Sequence, residues 1–248
     1  MDGVDAVLCD ITANSVQTLD CVSYPYPTPL LTILHSLCSP GSEEINLMGS
    51  ADRAVADSFA RAVNRLLEKN HLAPDAIVAL GSHGQTVRHH PGGVAVHRGA
   101  STFGFTLQIG DPNTLATLTG IDVISDFRRK DIALGGEGAP LVPAFHQAVF
   151  ARDQASRTVV NIGGIANISV LAPKHSSQGV TGYDTGPGNT LMDAWCRQHT
   201  GRSYDEGGQW GAGGTPDNRL LRRMLDDPYF HRNSPKSTGR EYFNLTWL

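Results

Sequence analysis

TVVNIGGIANISVL, residues 158–171, sets two apolar runs on either side of Gly163 and Gly164. Thr158–Ile162 and Ala166–Leu171 are short and rich in β-branched residues, and Gly-Gly is turn chemistry, so the stretch predicts two antiparallel strands joined by a tight hairpin. Glycine amides at such a tip approach a phosphate without Cβ obstruction; an ordinary hairpin turn carries the same residues. Just downstream, YDTGPGNTLMDAW, residues 183–195, places Asp184 at the end of a strand-like run, before a rigid Gly-Pro-Gly and a helix starting near Asn189. A turn of that kind holds one carboxylate at a strand end, where it acts as a functional group or as a loop brace. Asn189 itself reads as an N-cap.

Upstream, Val4–Ile11 reads as a buried strand and Thr18–Ser23 as a second strand paired to it. Between Glu43 and Glu68 the apolar residues Met48, Val55, Phe59, Val63 and Leu66 recur at helical spacing, which predicts a long helix lying on the sheet. Ala76–Leu80 predicts a short buried strand running into GSHGQT, and Phe105–Ile109 another, followed by Asp111 and Pro112 at the cap and first turn of a helix through Leu118. Ile121–Ser125 adds a strand, DFRRKDIALGGEGAP a polar glycine-rich connection, and Leu141–Phe150 a helix. Strands alternating with helices indicate an α/β layer structure. The polar stretch 151–156 then places a boundary, with a first α/β lobe over 1–155 and a second over 156–248.

With 20 basic against 24 acidic residues the net charge is -4, so no uniform positive field exists to hold a phosphate backbone or an anionic membrane surface. Nucleic acid and membrane are therefore not the expected partners. Cys9, Cys21, Cys38 and Cys196 form no CxxC pair, and the opening MDGVDAVLCDI carries acids where a signal peptide needs basic residues, so the expected location is the cytoplasm.

GSHGQT presents Ser82, His83, Gln85 and Thr86, the mixed donors and acceptors that sugar hydroxyls require. Arg128, Arg129 and Lys130 follow a strand and could meet an anionic group, although three successive cations are also an ordinary solvated face. His89 and His90 read as solvated loop residues, and the histidines show no zinc-type spacing. Neither a Walker A loop nor a strand-to-helix GxGxxG is present.

Taken together and in order, GSHGQTVRH, LQIGDP, TGIDVISDFRRKDIA, GGEGAPLVPAFH, NIGGIANIS, GYDTGPGNTLMDAW and PKSTGREYFNL resemble the motif series of the anhydro-N-acetylmuramic acid kinases. The resemblance implies an actin/hexokinase-like ATPase fold, in which two α/β lobes enclose a cleft for ATP and sugar. It implies phosphorylation of 1,6-anhydro-N-acetylmuramic acid with opening of its anhydro bridge, giving N-acetylmuramic acid 6-phosphate in peptidoglycan recycling. By the same resemblance Asp184 matches the catalytic base, and Gly163 and Gly164, with Asn161 beside them, match a phosphate-contacting turn. His83, Gln85 and Arg128 fall in motifs on the sugar side, and Asp2 is the candidate for a Mg²⁺ site. The resemblance leaves room for a homodimer. Glu137 departs from the pattern, standing where glutamine is usual; a carboxylate cannot donate as an amide does. A strand with a Gly-Thr-Ser loop before MDGVD, and the remainder of the second lobe after FNLTWL, are also expected of the family and not found, so the second lobe reads as incomplete. A reading of another class follows from those gaps: a truncated, catalytically silent fragment that binds at most sugar or a partner chain.

Overall fold

A computed structural model describes residues 3–12, 15–93, 103–240 and 242–248. The chain divides between Gly138 and Ala139 into two compact units, both mixed α/β.

In the first unit β1 (Gly3–Ile11) and β2 (Val16–Pro25) form the antiparallel hairpin read from the sequence, in register from Gly3↔Pro25 to Ile11↔Val16. They are followed by α1 (Thr28–Leu37) and by α2 (Glu44–Lys69), which packs on β1 and β2. Of the expected stripe on α2, Val55 and Leu66 are buried and Met48, Phe59 and Val63 partly so. The stripe is wider than the large residues alone suggest, because Ala51, Ala56, Ala60 and Ala62 are buried as well and let neighbouring backbone approach closely. Tyr26, Leu30, Leu34, Leu37, Ala51, Val55, Val87 and Ile109 make the core of this unit. Burying one such leucine stabilises by about 1.5–3 kcal/mol.

Two sequence expectations are corrected here. The strand expected at Ala76–Leu80 is instead β3 (Leu80–Ser82), preceded by a single 3₁₀ turn over Pro74–Ala76. Pro74 presets the turn, the Ile77 amide closes it on the Pro74 carbonyl, and Val78 stands 95% exposed. After β4 (Gln85–His90), β5 (Phe105–Ile109), α3 (Pro112–Thr119) and β6 (Val123–Ser125), the supposed polar connection begins with a helix, α4 (Phe127–Ala133). Arg128, Arg129 and Lys130 in its first turn are good helix formers, and the glycines that suggested a loop start only at Gly135. β3 pairs in parallel with β6, and β4 antiparallel with β5.

The second unit opens with α5 (Pro143–Phe150), which precedes the boundary read at 155 yet packs on the sheet that follows. His146 Nδ1 meets Ser169 Oγ at 2.8 Å, and Gln147 Nε2 donates to the Ala172 carbonyl at 3.0 Å. That sheet is β7 (Arg157–Ile162), β8 (Ile165–Leu171) and β9 (Thr181–Pro187), antiparallel throughout. Then come α6 (Asn189–Thr200), α7 (Gln209–Ala212) and α8 (Asn218–Leu225). Leu191, Tyr229 and Phe243 form a core beneath the sheet's end, with Ile165, Phe230 and Trp247 packed against it. Cys9, Cys21, Cys38 and Cys196 are free thiols.

The β5–α3 junction is the tightest feature of the first unit. The Gly110 amide donates to Asp52 Oδ1 of α2 at 2.6 Å. With φ at +119°, any Cβ at Gly110 would sit 2.9 Å from Phe59 and 3.1 Å from Val55, so only glycine fits. Asp111 then caps α3 as read from the sequence, accepting from the amides of Asn113 (3.1 Å) and Thr114 (3.0 Å) and from the Thr114 hydroxyl. The Thr114 hydroxyl bond foremost holds its carboxyl below the usual carboxylate range. A depressed folded-state pKa means that the stabilisation is present above the unfolded value and is lost as pH falls through the folded one. Asp111→Ala should therefore cost about 1 kcal/mol near neutral pH by urea denaturation, and the deficit should shrink toward zero as both proteins are acidified below the carboxylate range.

Candidate active site

The hairpin of β7 and β8 carries Asn161, Gly163 and Gly164 at one end of the second unit's sheet. Asn161 pairs across the ladder with Asn167, and Asn167 pairs in turn with Asp184 of β9. Directly paired residues project to the same face, so one row holds two side-chain amides and a carboxylate. Asn167 was missed by sequence reasoning; its only signal is an amide side chain inside a mostly apolar strand.

Asp184 lies within β9 rather than after it, at 6% exposure. Its Oδ2 accepts from Ser237 Oγ and from the Thr238 amide, both at 3.0 Å. Its own amide donates to the Lys236 carbonyl at 3.1 Å, and its carbonyl accepts the Tyr229 phenol at 2.7 Å. Burial, and then the Asp184 charge, push the Tyr229 phenol up, which keeps it a neutral donor at all ordinary pH values. Lys236 turns back to donate to the carbonyls of Tyr229 and Phe230, with its ammonium 4.8 Å from the Tyr229 ring centroid. The PKST segment thus grips both the backbone and the carboxylate of Asp184.

The glycine turn is fastened to α6 by its carbonyls. Gly163 O accepts the Asn189 amide at 2.8 Å, and Gly164 O accepts those of Gly188 (2.9 Å) and Thr190 (3.3 Å). Gly188, not Asn189, is the N-cap, because a Cβ there would lie 2.1 Å from Gly163 O; Asn189 is the first helical residue and makes no side-chain cap. The amides of Gly163 and Gly164 donate to nothing among the described residues.

In the first unit Arg128 projects from α4, donating from Nε to the Gly138 carbonyl and from Nη1 to Thr86 Oγ1, each at 2.7 Å. Thr86 also accepts from Gln108 Nε2. Gln85, next to Thr86, lines a cleft of about 480 Å³ together with Asp5, Ser23 and Tyr24. Gln85 and Arg128 are thereby joined through adjacent residues, whereas His83 is exposed, its Nδ1 meeting the Gly84 carbonyl. Arg129 pairs with Asp126 on the surface. Asp2 lies outside the described residues. Among the described residues no group of three or more His, Cys, Asp or Glu gathers to hold a metal ion, and no helix is long and apolar enough to cross a membrane.

His89 and His90 correct the sequence reading, since both stand in β4 and neither is fully solvated. His89 Nδ1 meets Thr106 Oγ1 at 3.0 Å and its Nε2 is enclosed without a partner. Both are partly covered, so what packs over the strand, not loop solvation, decides their exposure.

Mixed α/β units and a strand-borne carboxylate beside a glycine hairpin are consistent with a sugar kinase. The family model described as anhydro-N-acetylmuramic acid kinase matches residues 1–248, and the chain belongs to that family. Proteins named anhydro-N-acetylmuramic acid kinase from Shewanella oneidensis and Shewanella loihica are 57% and 55% identical to it over all 248 residues. The chain spans 64% of the length of each of these curated relatives.

Burial foremost, then the Arg128 charge and His90, push the His89 imidazole down from 6.5 to about 4. Between those values the unfolded chain takes up a proton that the folded chain refuses, so stability falls as pH falls through this window. The urea midpoint should drop between pH 6.5 and pH 4, and His89→Leu should flatten part of that slope; an unchanged slope in the variant refutes the assignment.

Proposed function

We propose that this protein is an ATP-dependent kinase that opens 1,6-anhydro-N-acetylmuramic acid with water and phosphorylates O6, giving N-acetylmuramic acid 6-phosphate. The relatives are named for that sugar and for kinase activity. The observation that carries the chemistry is the buried Asp184 carboxylate, oriented by two donors on Oδ2 and sharing a row with Asn167 and Asn161.

O6 of the substrate is tied into the anhydro bridge and becomes an acceptor only as the C1–O6 bond breaks. Water bonds to C1, its proton passes to Asp184, and O6 takes the γ-phosphoryl group while ADP leaves. Asp184 in this reading is the base, and the Ser237 hydroxyl and Thr238 amide fix its aim. The Gly163 and Gly164 amides, with Asn161 alongside, receive phosphoryl oxygens. Gln85 and Arg128 bind the sugar, Arg128 held by Thr86 and Gly138. His83, exposed at the head of the same motif, belongs to that sugar-side set.

Mg²⁺ bound to ATP would neutralise phosphate charge, held through water and one or two carboxylates rather than a closed cage. Asp2 remains the candidate carboxylate. The two units are read as the α/β lobes of an actin/hexokinase-like ATPase, supported by the strand, glycine turn, strand, strand and helix order of β7–β8–β9–α6. A cytoplasmic site of action goes with this reading.

Asp184→Asn keeps the shape of the side chain but cannot accept the proton. Turnover, followed by mass spectrometry on the chain extended to its relatives' length, should fall by roughly 10²–10⁴. Sugar affinity should stay within a few fold. Near-normal turnover by the Asn variant would sink the assignment, and sugar binding with no turnover by the unmutated extended chain would favour a silent binding protein.

A further inference from the structure

We propose that Arg240 completes the phosphate site at the Gly163–Gly164 turn and is the cation that meets the transferred phosphoryl group there. The inference rests on the reading of that turn as phosphate-contacting, and it concerns a residue to which neither the motif reading nor the family match gives a role.

Arg240 reaches the turn from 76 residues downstream of Gly164. A Cβ on Gly164 would lie 3.2 Å from Arg240 Nη2 and 3.6 Å from Nε, so the guanidinium lies directly against the one face of the turn that glycine leaves open. The same Cβ would lie 2.6 Å from Thr190 Oγ1, a buried hydroxyl without a hydrogen-bond partner. A buried hydroxyl in that state still has a hydrogen bond to give. The turn's carbonyls are consumed by the amides of Gly188, Asn189 and Thr190, so they are tied down toward α6 and present no negative end to a ligand. What the turn offers is therefore two glycine amides, a guanidinium and a hydroxyl, each able to donate to an anion.

Arg240 is exposed, and among the described residues it makes no ion pair and no hydrogen bond. Arginine stays charged at all working pH values, and its planar fork matches the spacing of phosphoryl oxygens. Yet the backbone carrying it is fixed on both sides. Upstream, the Thr238 amide and Ser237 hydroxyl are bound to Asp184 Oδ2. Downstream, the Phe243 amide donates to the Gly239 carbonyl at 3.1 Å, and the Phe243 ring is wholly buried against Tyr229. One short segment thus positions the candidate base and presents a cation to the candidate phosphate turn. Preorganised charge of this kind stabilises a phosphoryl group in transit without reorganisation at the moment of reaction.

The chemistry names the ligand class as a terminal phosphoryl group or a polyphosphate, and inorganic pyrophosphate serves as the probe. In this chain, labelled with ¹⁵N, pyrophosphate should shift the Gly163 and Gly164 amide resonances saturably. Arg240→Ala should weaken that binding roughly 10- to 100-fold, the range for losing a charge-assisted bond, and Arg240→Lys should restore part of it. The variant's thermal midpoint should match that of the unmutated chain, because the side chain is exposed. Gly164→Ala, which drives a methyl group into Thr190 and Arg240, should also lose the shifts. Glycine shifts that persist unchanged in Arg240→Ala overturn the role of Arg240 while leaving the turn as a phosphate site. No glycine shifts in the unmutated chain overturn the phosphate reading of the turn, and the proposal with it.

Discussion

The second unit depends on the clamp that the Lys236–Thr238 segment places on Asp184. A carboxylate at 6% exposure is costly unless donors surround it, and here a hydroxyl and an amide on Oδ2 meet that need. The clamp does more than satisfy a charge. It ties the central residue of β9 to a segment more than fifty positions later, and the Tyr229 phenol on the Asp184 carbonyl adds a second tie from the aromatic core. Loss of the Ser237 and Thr238 contacts would loosen the segment that carries Arg240. Positioning of the carboxylate and closure of the unit's end are therefore one structural event.

The first unit uses the same device on a smaller scale. Asp52 of α2 receives the Gly110 amide, and one residue later Asp111 caps α3. Helix, strand end and following helix are thereby locked at a point where a side chain at Gly110 would collide with Phe59 and Val55. Arg128 plays the corresponding part between α4 and β4, since its two donated bonds hold the glycine-rich loop at Gly138 and the strand at Thr86. Glu137, the departure from the family pattern, stands half-buried in that loop beside Gly138, whose amide is already bound to Asp131 Oδ2. Its neighbourhood is thus set by Arg128 and Asp131.

Local pattern was enough for the β1–β2 pair, the length of α2, the Asp111 cap, the β7–β8 hairpin and the start of α6. Each of these is decided within a few residues, by alternation, helical spacing or turn chemistry. The misplaced strand at Ala76–Leu80 and the missed helix α4 fail for a related reason: a short apolar run and a glycine-rich tail each admit two local readings, and only pairing with β6 or packing of the preceding turn selects one. His89 was misread because the exposure of a strand residue depends on what covers the strand, which no neighbouring residue reports.

By itself the sequence determined the β1–β2 pair, the long helix α2, the Asp111 cap, the glycine turn between β7 and β8, and through its ordered motifs the family. Tertiary structure alone decided which groups meet: Asp184 with Ser237 and Thr238, Asn161 with Asn167, Gly164 with Thr190 and Arg240. The reason is the range of the forces involved. Propensity, alternation and capping act over a few residues along the chain, whereas a buried carboxylate finds its donors only after packing has brought distant segments within hydrogen-bond reach.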